Sequence, residues 1–333
     1  MKKPFNQSSY LSQVRRLRVL ARKALAEYPI RVESVNFINH GENTTFRIEA
    51  TNGQSYLLRI HRNDYHTKSA IIEEIMWISH LSKKGLSVPT PVTSKNGNLV
   101  ETIEHNDIQG SRNCSVFKWI HGDFIRKSVK PKHMFAVGQL LAEIQNNAPK
   151  RKTHIRRYWT AEGLVGSNPK FGSIDTLRGI SLKQQRVITT ARTLTFKKLK
   201  AFEKKYPNRQ GLIHADLHFG NIVSAGTNLG AIDFDDCGYG FFAYDLVIPY
   251  ISAQHSLGEN KKQLFHQYKN ALINGYKTKR KWDQSDDDIF SHLMTARKLL
   301  MLGWLNSRSD NPRLKKLLKK SVKTVLAHIK NSP

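Results

Sequence analysis

Four side chains within twenty residues carry groups that could move a phosphoryl group. Residues 212–247 read LIHADLHFGNIVSAGTNLGAIDFDDCGYGFFAYDLV, with His214, Asp216 and Asn221 in a polar turn and Asp233 at the end of a later apolar run. One carboxylate suits proton removal from a hydroxyl. An amide oxygen and a second carboxylate suit metal ions held against a triphosphate, and phosphoryl transfer divides its labour in this way. Mg²⁺ takes oxygen ligands, keeps several waters and uses one or two carboxylates besides phosphate oxygens. Asn221 and Asp233 meet that need. His214-x-Asp216-x-His218 also has metal-ligand spacing, which opens a metallohydrolase reading. Such sites draw on further clustered histidines or carboxylates, whereas His40, His61, His66, His80 and His121 are scattered singly.

The elements that must position these groups are legible around them. Leu212 and Ile213 read as a short buried strand, interrupted by HADLHFGN and resumed at Ile222 and Val223. NLGAIDF reads as another strand, with Asp233 near its exposed end. The hairpin these strands form brings Asp216, Asn221 and Asp233 to one edge. Upstream, residues 32–62 alternate apolar and polar over three segments marked by Val32, Val35 and Phe37, by Phe46 and Ile48, and by Tyr56, Leu58 and Ile60. Alternation of this kind predicts half-buried strands. Asn52-Gly53 is a two-residue hairpin signal. KSAIIEEIMWISHLSKKG predicts a helix ending at Gly85, with Ile71, Ile75 and Ile78 as its buried stripe. Glu74 lies beside that stripe on the helical wheel, and Glu73 points nearly the opposite way.

HADLHFGN…IDFDD…YDL resembles the aminoglycoside phosphotransferase and choline kinase family, distant relatives of the protein kinases. The resemblance implies an α+β, bilobal protein-kinase-like fold: an N-lobe of antiparallel sheet plus helix over 1–118, and a mostly helical C-lobe over 119–333. It implies ATP and Mg²⁺ as cofactors, bound between lobes. Asp216 then matches the catalytic base and His214 the histidine that shapes its turn. Asn221 and Asp233 match the metal ligands, and Asp245 the buried aspartate that caps the catalytic-loop backbone. Asp235 and Asp236 match no single role. Gly41 and Asn43, in NHGENTT, match the phosphate-covering loop. Arg59 stands where the family commonly has Lys, paired to Glu74. Arg is a planar fork and not a point charge, so this departure changes the phosphate geometry. The linker that binds adenine through its backbone falls near Phe117, Lys118 and Trp119.

The remainder predicts helices over the segment from Lys130 to Asn147 and over 183–206, 241–256, 261–278, 285–305 and 312–330. Residues 149–180 lack periodicity and read as a basic, aromatic insertion for acceptor contacts or a lid. In related kinases the late helices build the acceptor pocket. Tyr244, Tyr250, Trp282 and Trp304 are candidates for it, with core packing the competing role.

Composition sets the outer bounds. The chain of 333 residues carries 54 Lys and Arg against 26 Asp and Glu, a net charge of +28. The excess gathers in SQVRRLRVLARKALAEY, PKRKTHIRRYW, TFKKLKAFEKK and RLKKLLKKSVKTVLAHIK. The helical segments among them also carry apolar stripes, expected to dock on the second lobe and not on lipid. The positive faces favour solubility, an anionic acceptor and weak contact with acidic surfaces. No motif points to specific nucleic-acid binding. Two cysteines exclude a disulfide framework. No apolar run reaches bilayer-spanning length, and MKKPFNQSSY lacks a signal-peptide core, so a cytoplasmic protein is expected. The leading expectation is an ATP-dependent O-phosphotransferase acting on a small-molecule alcohol, amino alcohol, sugar or antibiotic. A Ser/Thr protein kinase of the stress-kinase type and an inactive nucleotide-binding scaffold stand as alternatives.

Overall fold

The computed structural model describes residues 3–125, 129–149, 156–225, 228–258 and 262–331. In chain order the elements begin α1 (Tyr10–Leu25), β1 (Val32–His40), β2 (Thr44–Ala50), β3 (Ser55–Ile60) and α2 (Lys68–Lys83). Next come β4 (Pro91–Val92), β5 (Glu101–His105), β6 (Ile108–Lys118), β7 (Asp123–Phe124), α3 (Pro131–Asn146), β8 (Arg157–Trp159) and α4 (Ala161–Val165). Then follow α5 (Leu182–Lys205), β9 (Gln210–Ile213), β10 (Ile222–Ala225), β11 (Asn228–Ala231) and β12 (Gly238–Phe241). The chain closes with α6 (Phe242–Leu257), α7 (Lys262–Lys277), α8 (Gln284–Ser307) and α9 (Pro312–Lys330). Two compact units result: Met1–Asp123 with Ala225–Asp235, and Phe124–Ser224 with Asp236–Pro333.

The first unit is built on an antiparallel sheet in the order β1-β2-β3-β6-β4, with β5 also paired to β6. Its period-two pattern sets the register: Phe46 lies opposite Leu58 and Ile48 opposite Tyr56, so the buried side chains meet across the strands. The turn after β2 spans residues 51–54 and is longer than the two-residue hairpin that Asn52-Gly53 predicts. Gly53 takes the left-handed conformation in it, at φ 77°. The stripe of α1 packs on this sheet: Leu17, Leu20, Ala21, Ala24 and Leu25 share a core with Phe46, Ile48, Leu58 and Cys114. That corrects the expected docking of this helix on the second lobe. Its period-3.6 apolar face finds the sheet's uncovered face, while Arg15, Arg18, Arg22 and Lys23 stay exposed.

Helix α2 starts at Thr67, whose side chain accepts from Ala70 N. It stops where Gly85 turns left-handed at φ 83°. Leu86 N then bonds to Leu81 O and Gly85 N to Ser82 O, the two closing bonds of a Schellman motif. The segment Ala225–Asp235 is fastened to this unit by backbone and ring contacts among others. Ala231 N donates to Ser87 O, and Phe234 meets Trp77 edge-on at 5.4 Å.

The second unit is mostly helical. Helices α3 and α7 approach closely because Gly138 and Gly275 lack side chains. A Cβ on Gly138 would lie 2.0 Å from Leu272 O, and one on Gly275 1.9 Å from Phe135 O. A small sheet, β8-β12-β9, carries the polar turn at the end of β9. The predicted insertion at 149–180 is more ordered than its sequence suggests, although residues 150–155 lie outside the described residues. Arg156, Arg157 and Trp159 are buried, and their side chains bond to Cys237 O, Asp236 Oδ1 and Asp236 O respectively. This part is a fixed strand of the core and not a lid. Tyr244, Tyr250 and Trp282 are core residues. Of the acidic cluster in α8, Asp286 accepts from Asp283 N at the helix start. Among the described residues no helix is long and apolar enough to cross a membrane.

Candidate active site

In the second unit the turn after β9 is held from below. His214 N and Ala215 N donate to Asp245, at 3.0 and 2.7 Å. Asp245 sits in the first turn of α6, where a carboxylate is favoured by the helix dipole. Gln145 of α3 donates to it at 3.0 Å, and Tyr276 of α7 donates to Gln145 Oε1. Burial dominates at Asp245 and pushes it up to about 6, against the pull of its N–H donors, with the charge on Asp216 adding to the rise. The two N–H bonds fix Ala215 at φ 66°, a left-handed conformation that is costly for a residue with a Cβ. Ala215 immediately precedes Asp216, so this bend sets the direction in which Asp216 leaves the strand.

The rest of the turn closes on itself. Asp216 N donates to His214 Nδ1 at 3.3 Å, and Gly220 N to His218 Nδ1 at 2.9 Å. Asn221 Nδ2 donates to Asp216 O at 2.9 Å. The histidines are thus local backbone acceptors in this turn. Among the described residues no three His, Cys, Asp or Glu side chains converge on a point that could hold a metal. The bond from Nδ2 fixes the amide of Asn221 and leaves its Oδ1, the atom a hard cation takes, outside that bond.

The side chain of Asp216 has a partner the sequence reading missed. Arg297 of α8 donates from Nη2 to Asp216 Oδ1 at 2.6 Å and from Nη1 to Tyr244 Oη at 3.2 Å. Burial disfavours the guanidinium charge, but Tyr244 and Asp216 more than restore it. A signal was present: Arg297 lies at i+4 from Leu293 and i−3 from Leu300, on the buried face of its helix. A lone cation on an apolar stripe calls for a buried anion. Asp236, left without a role, pairs with Arg157 at 2.6 Å.

In the first unit Arg59 Nη1 donates to Glu74 Oε1 at 2.6 Å, with both side chains almost fully buried. The helical-wheel choice of Glu74 over Glu73 therefore matches the geometry. Asp235 Oδ1 lies 4.0 Å from Arg59 Nη1 and 3.7 Å from His66 Nε2. Burial alone would raise Asp235; Arg59, His66, His61 and a bond from Asn43 outweigh it and lower it. Burial works against Arg59 as well, and Glu74, Asp233 and Asp235 hold it charged. Asp233 is exposed and left-handed, at φ 62°.

The predicted phosphate loop and adenine linker look different in detail. Asn43 Oδ1 accepts from Arg62 N, so with its bond to Asp235 the side chain braces the turn. Gly41 is exposed, and a Cβ there would meet only Asn39, at 3.4 Å. Phe117 is fully buried beneath the Arg59 guanidinium. Trp119 is half-buried, with Arg47 over its ring. Lys118 N donates to Thr90 O and Trp119 N to Ser55 O, so these two amides are already engaged within the sheet.

Comparison with known proteins places these features in a family. An amicoumacin kinase of Bacillus subtilis (strain 168) is 24% identical over 311 residues, covering 86% of this chain and 84% of its own. The structure of a microcompartment-associated aminopropanol kinase superposes with a TM-score of 0.79 at 25% identity, covering 94% of this chain and 95% of that one. An amicoumacin kinase in complex with AMP-PNP, Ca²⁺ and Ami gives a TM-score of 0.79 at 23% identity and 97% coverage of both chains. Residues 34–280 match the phosphotransferase enzyme family across most of both units, and the chain belongs to that family.

Proposed function

We propose that this phosphotransferase moves the γ-phosphoryl group of ATP to the hydroxyl of a small amino alcohol. The turn that presents Asp216 carries the reading. Its backbone is fixed by Asp245, His214 and Asn221, while the Asp216 side chain stays partly exposed. A base that is fixed yet reachable is what proton removal from a bound hydroxyl requires. The amino-alcohol class is supported by the aminopropanol kinase to which the chain is similar.

ATP supplies the phosphoryl group when bound, and a divalent cation offsets charge on its phosphates. On the first unit, Arg59, held by Glu74, would grip phosphate oxygens as a fork. The backbone around Gly41 and Asn43 would contribute to holding the phosphates. Asp233 would give a carboxylate to a cation. On the second unit, Asn221 would offer its Oδ1 to a cation, His214 would keep the turn in shape and Asp216 would take the hydroxyl proton. An enzyme supplied by cellular ATP works in the cytoplasm.

The test is label transfer from γ-labelled ATP and Mg²⁺ to a panel containing 1-amino-2-propanol, a neutral sugar, a phosphorylated alcohol and a protein fraction. Label on the amino alcohol, lost in Asp216→Asn, is the expected result. Label on the phosphorylated alcohol would restore the anionic acceptor that the charge of +28 favours. Label on protein alone would replace the reading with a protein kinase. Nucleotide binding without transfer to any acceptor or to water would leave a scaffold.

A further inference from the structure

We propose that Arg297 is the positioning residue for Asp216, holding one carboxylate oxygen so that the other faces the acceptor hydroxyl. The inference rests on the reading of Asp216 as the base. Local bonds fix the backbone of Asp216 on both sides, but they leave χ1 and χ2 of its side chain undetermined. Arg297 supplies what is missing. Its guanidinium is anchored at one end by the hydroxyl of Tyr244, a fully buried residue stacked on Trp159. At the other end it meets Asp216 Oδ1 at 2.6 Å. The Asp216 side chain is 23% exposed and that of Arg297 10%. The anchor thus lies on the buried side of the carboxylate.

This arrangement makes the two oxygens of Asp216 unequal. Oδ1 accepts from a fixed cation. Oδ2 lies 3.7 Å from Nε2 of the more exposed His218. A proton arriving from a substrate hydroxyl therefore goes to Oδ2, while the charge-assisted bond to Oδ1 persists through the step. A planar fork anchored at two points fixes direction in a way a lysine ammonium cannot. Loss of alignment at a reacting group, even by about 1 Å, costs about 10²-fold in rate.

Arg297→Ala, Arg297→Lys and Asp216→Asn separate the possibilities. The assay follows label from γ-labelled ATP to 1-amino-2-propanol, or to water if the alcohol is not accepted. Asp216→Asn tests the underlying reading, and wild-type turnover there would end both claims. With Asp216 confirmed, Arg297→Ala is expected to lower kcat about 10²-fold with KM values unchanged, the signature of an interaction used in the transition state. Added guanidinium ion restores part of that turnover by occupying the vacated position. Arg297→Lys, which keeps the charge and loses the fork, gives an intermediate kcat. Should the alanine variant fail to fold, the lysine variant carries the test through the same split between kcat and KM. Wild-type kcat in the folded variants overturns the proposal. So does a loss confined to the KM of the acceptor, which would make Arg297 a substrate-binding group.

Discussion

Both units bury an arginine against a carboxylate at 2.6 Å, and the two pairs do different things with the same chemistry. In the first unit Glu74 is wholly enclosed and Arg59 has Asp235 at 4.0 Å as a further anion. The pair is a fixed strut in which the carboxylate serves the cation. In the second unit Arg297 is the enclosed partner and Asp216 keeps an exposed edge. There the cation serves the carboxylate. In the second pair the enclosure of Arg297 leaves Asp216 as the group that faces outward.

That contrast makes the two carboxylates respond oppositely to mutation. Asp216→Asn should lose about 10²- to 10⁴-fold in turnover, the range of a positioned general base. Its thermal midpoint should fall less than that of Glu74→Ala, because the asparagine keeps an oxygen that accepts from Arg297 and the side chain is partly exposed. Steady-state transfer and a melting curve on the same sample check both halves. A large fall in midpoint with turnover retained would make Asp216 the strut.

Glu74→Ala should do the reverse first. Removing one partner of a buried pair leaves an uncompensated charge and costs about 3–5 kcal/mol. Asp235 and Asp233 still face Arg59, so the loss should fall at the lower end of that range. Denaturant unfolding measures it. A value near zero would show Arg59 to be neutralised by the two aspartates alone, and the comparison between the units would fail.

The two pairs also differ in how readable they were. Arg59 and Glu74 are fifteen residues apart, on a strand and the next helix, and the apolar stripe of that helix selects Glu74 by rotation alone. Arg297 is eighty-one residues from Asp216, on a helix late in the chain, and no local periodicity links them. Only its place on a buried face marked it. The turn around Asp216 was legible because its residues bond to one another within a few positions. The left-handed Ala215 was not, since a residue with a Cβ gives no sign of positive φ; Asp245, thirty residues on, imposes it. The late helices followed from their periodicity, while the core strand Arg157–Trp159 was hidden in an aperiodic stretch because its partners are distant backbone groups.

A smaller effect probes the packing behind the second pair. Gly275→Ala puts a methyl 1.9 Å from Phe135 O, so α3 and α7 must separate. Overpacking of this kind costs about 1–3 kcal/mol. The shift moves Gln145 and Tyr276, which hold Asp245. The variant should therefore lose stability together with some turnover, without disturbing the Arg59–Glu74 pair of the first unit. Lost stability with wild-type kcat would mean that the bond chain from α7 to the turn absorbs the displacement.

The smallest effect concerns pH. Asp245 rises from 3.8 to about 6 because burial outweighs its N–H donors. A folded state that holds a proton more tightly than the unfolded chain is most favoured where both forms are protonated, and it loses that advantage as pH rises through the folded value. The contribution of Asp245 to stability should therefore be complete below about pH 4 and decline up to about pH 6, then stay level. Melting midpoints of the wild type and Asp245→Asn across that window isolate it, since the amide does not titrate. The difference between them should shrink by a few degrees toward neutral pH, at about 2–4 °C per kcal/mol for a chain of this size or somewhat less. A difference that instead grows with pH would show that the backbone donors of the turn outweigh burial, and that Asp245 is held as a full carboxylate beneath Asp216 at every pH where the enzyme works.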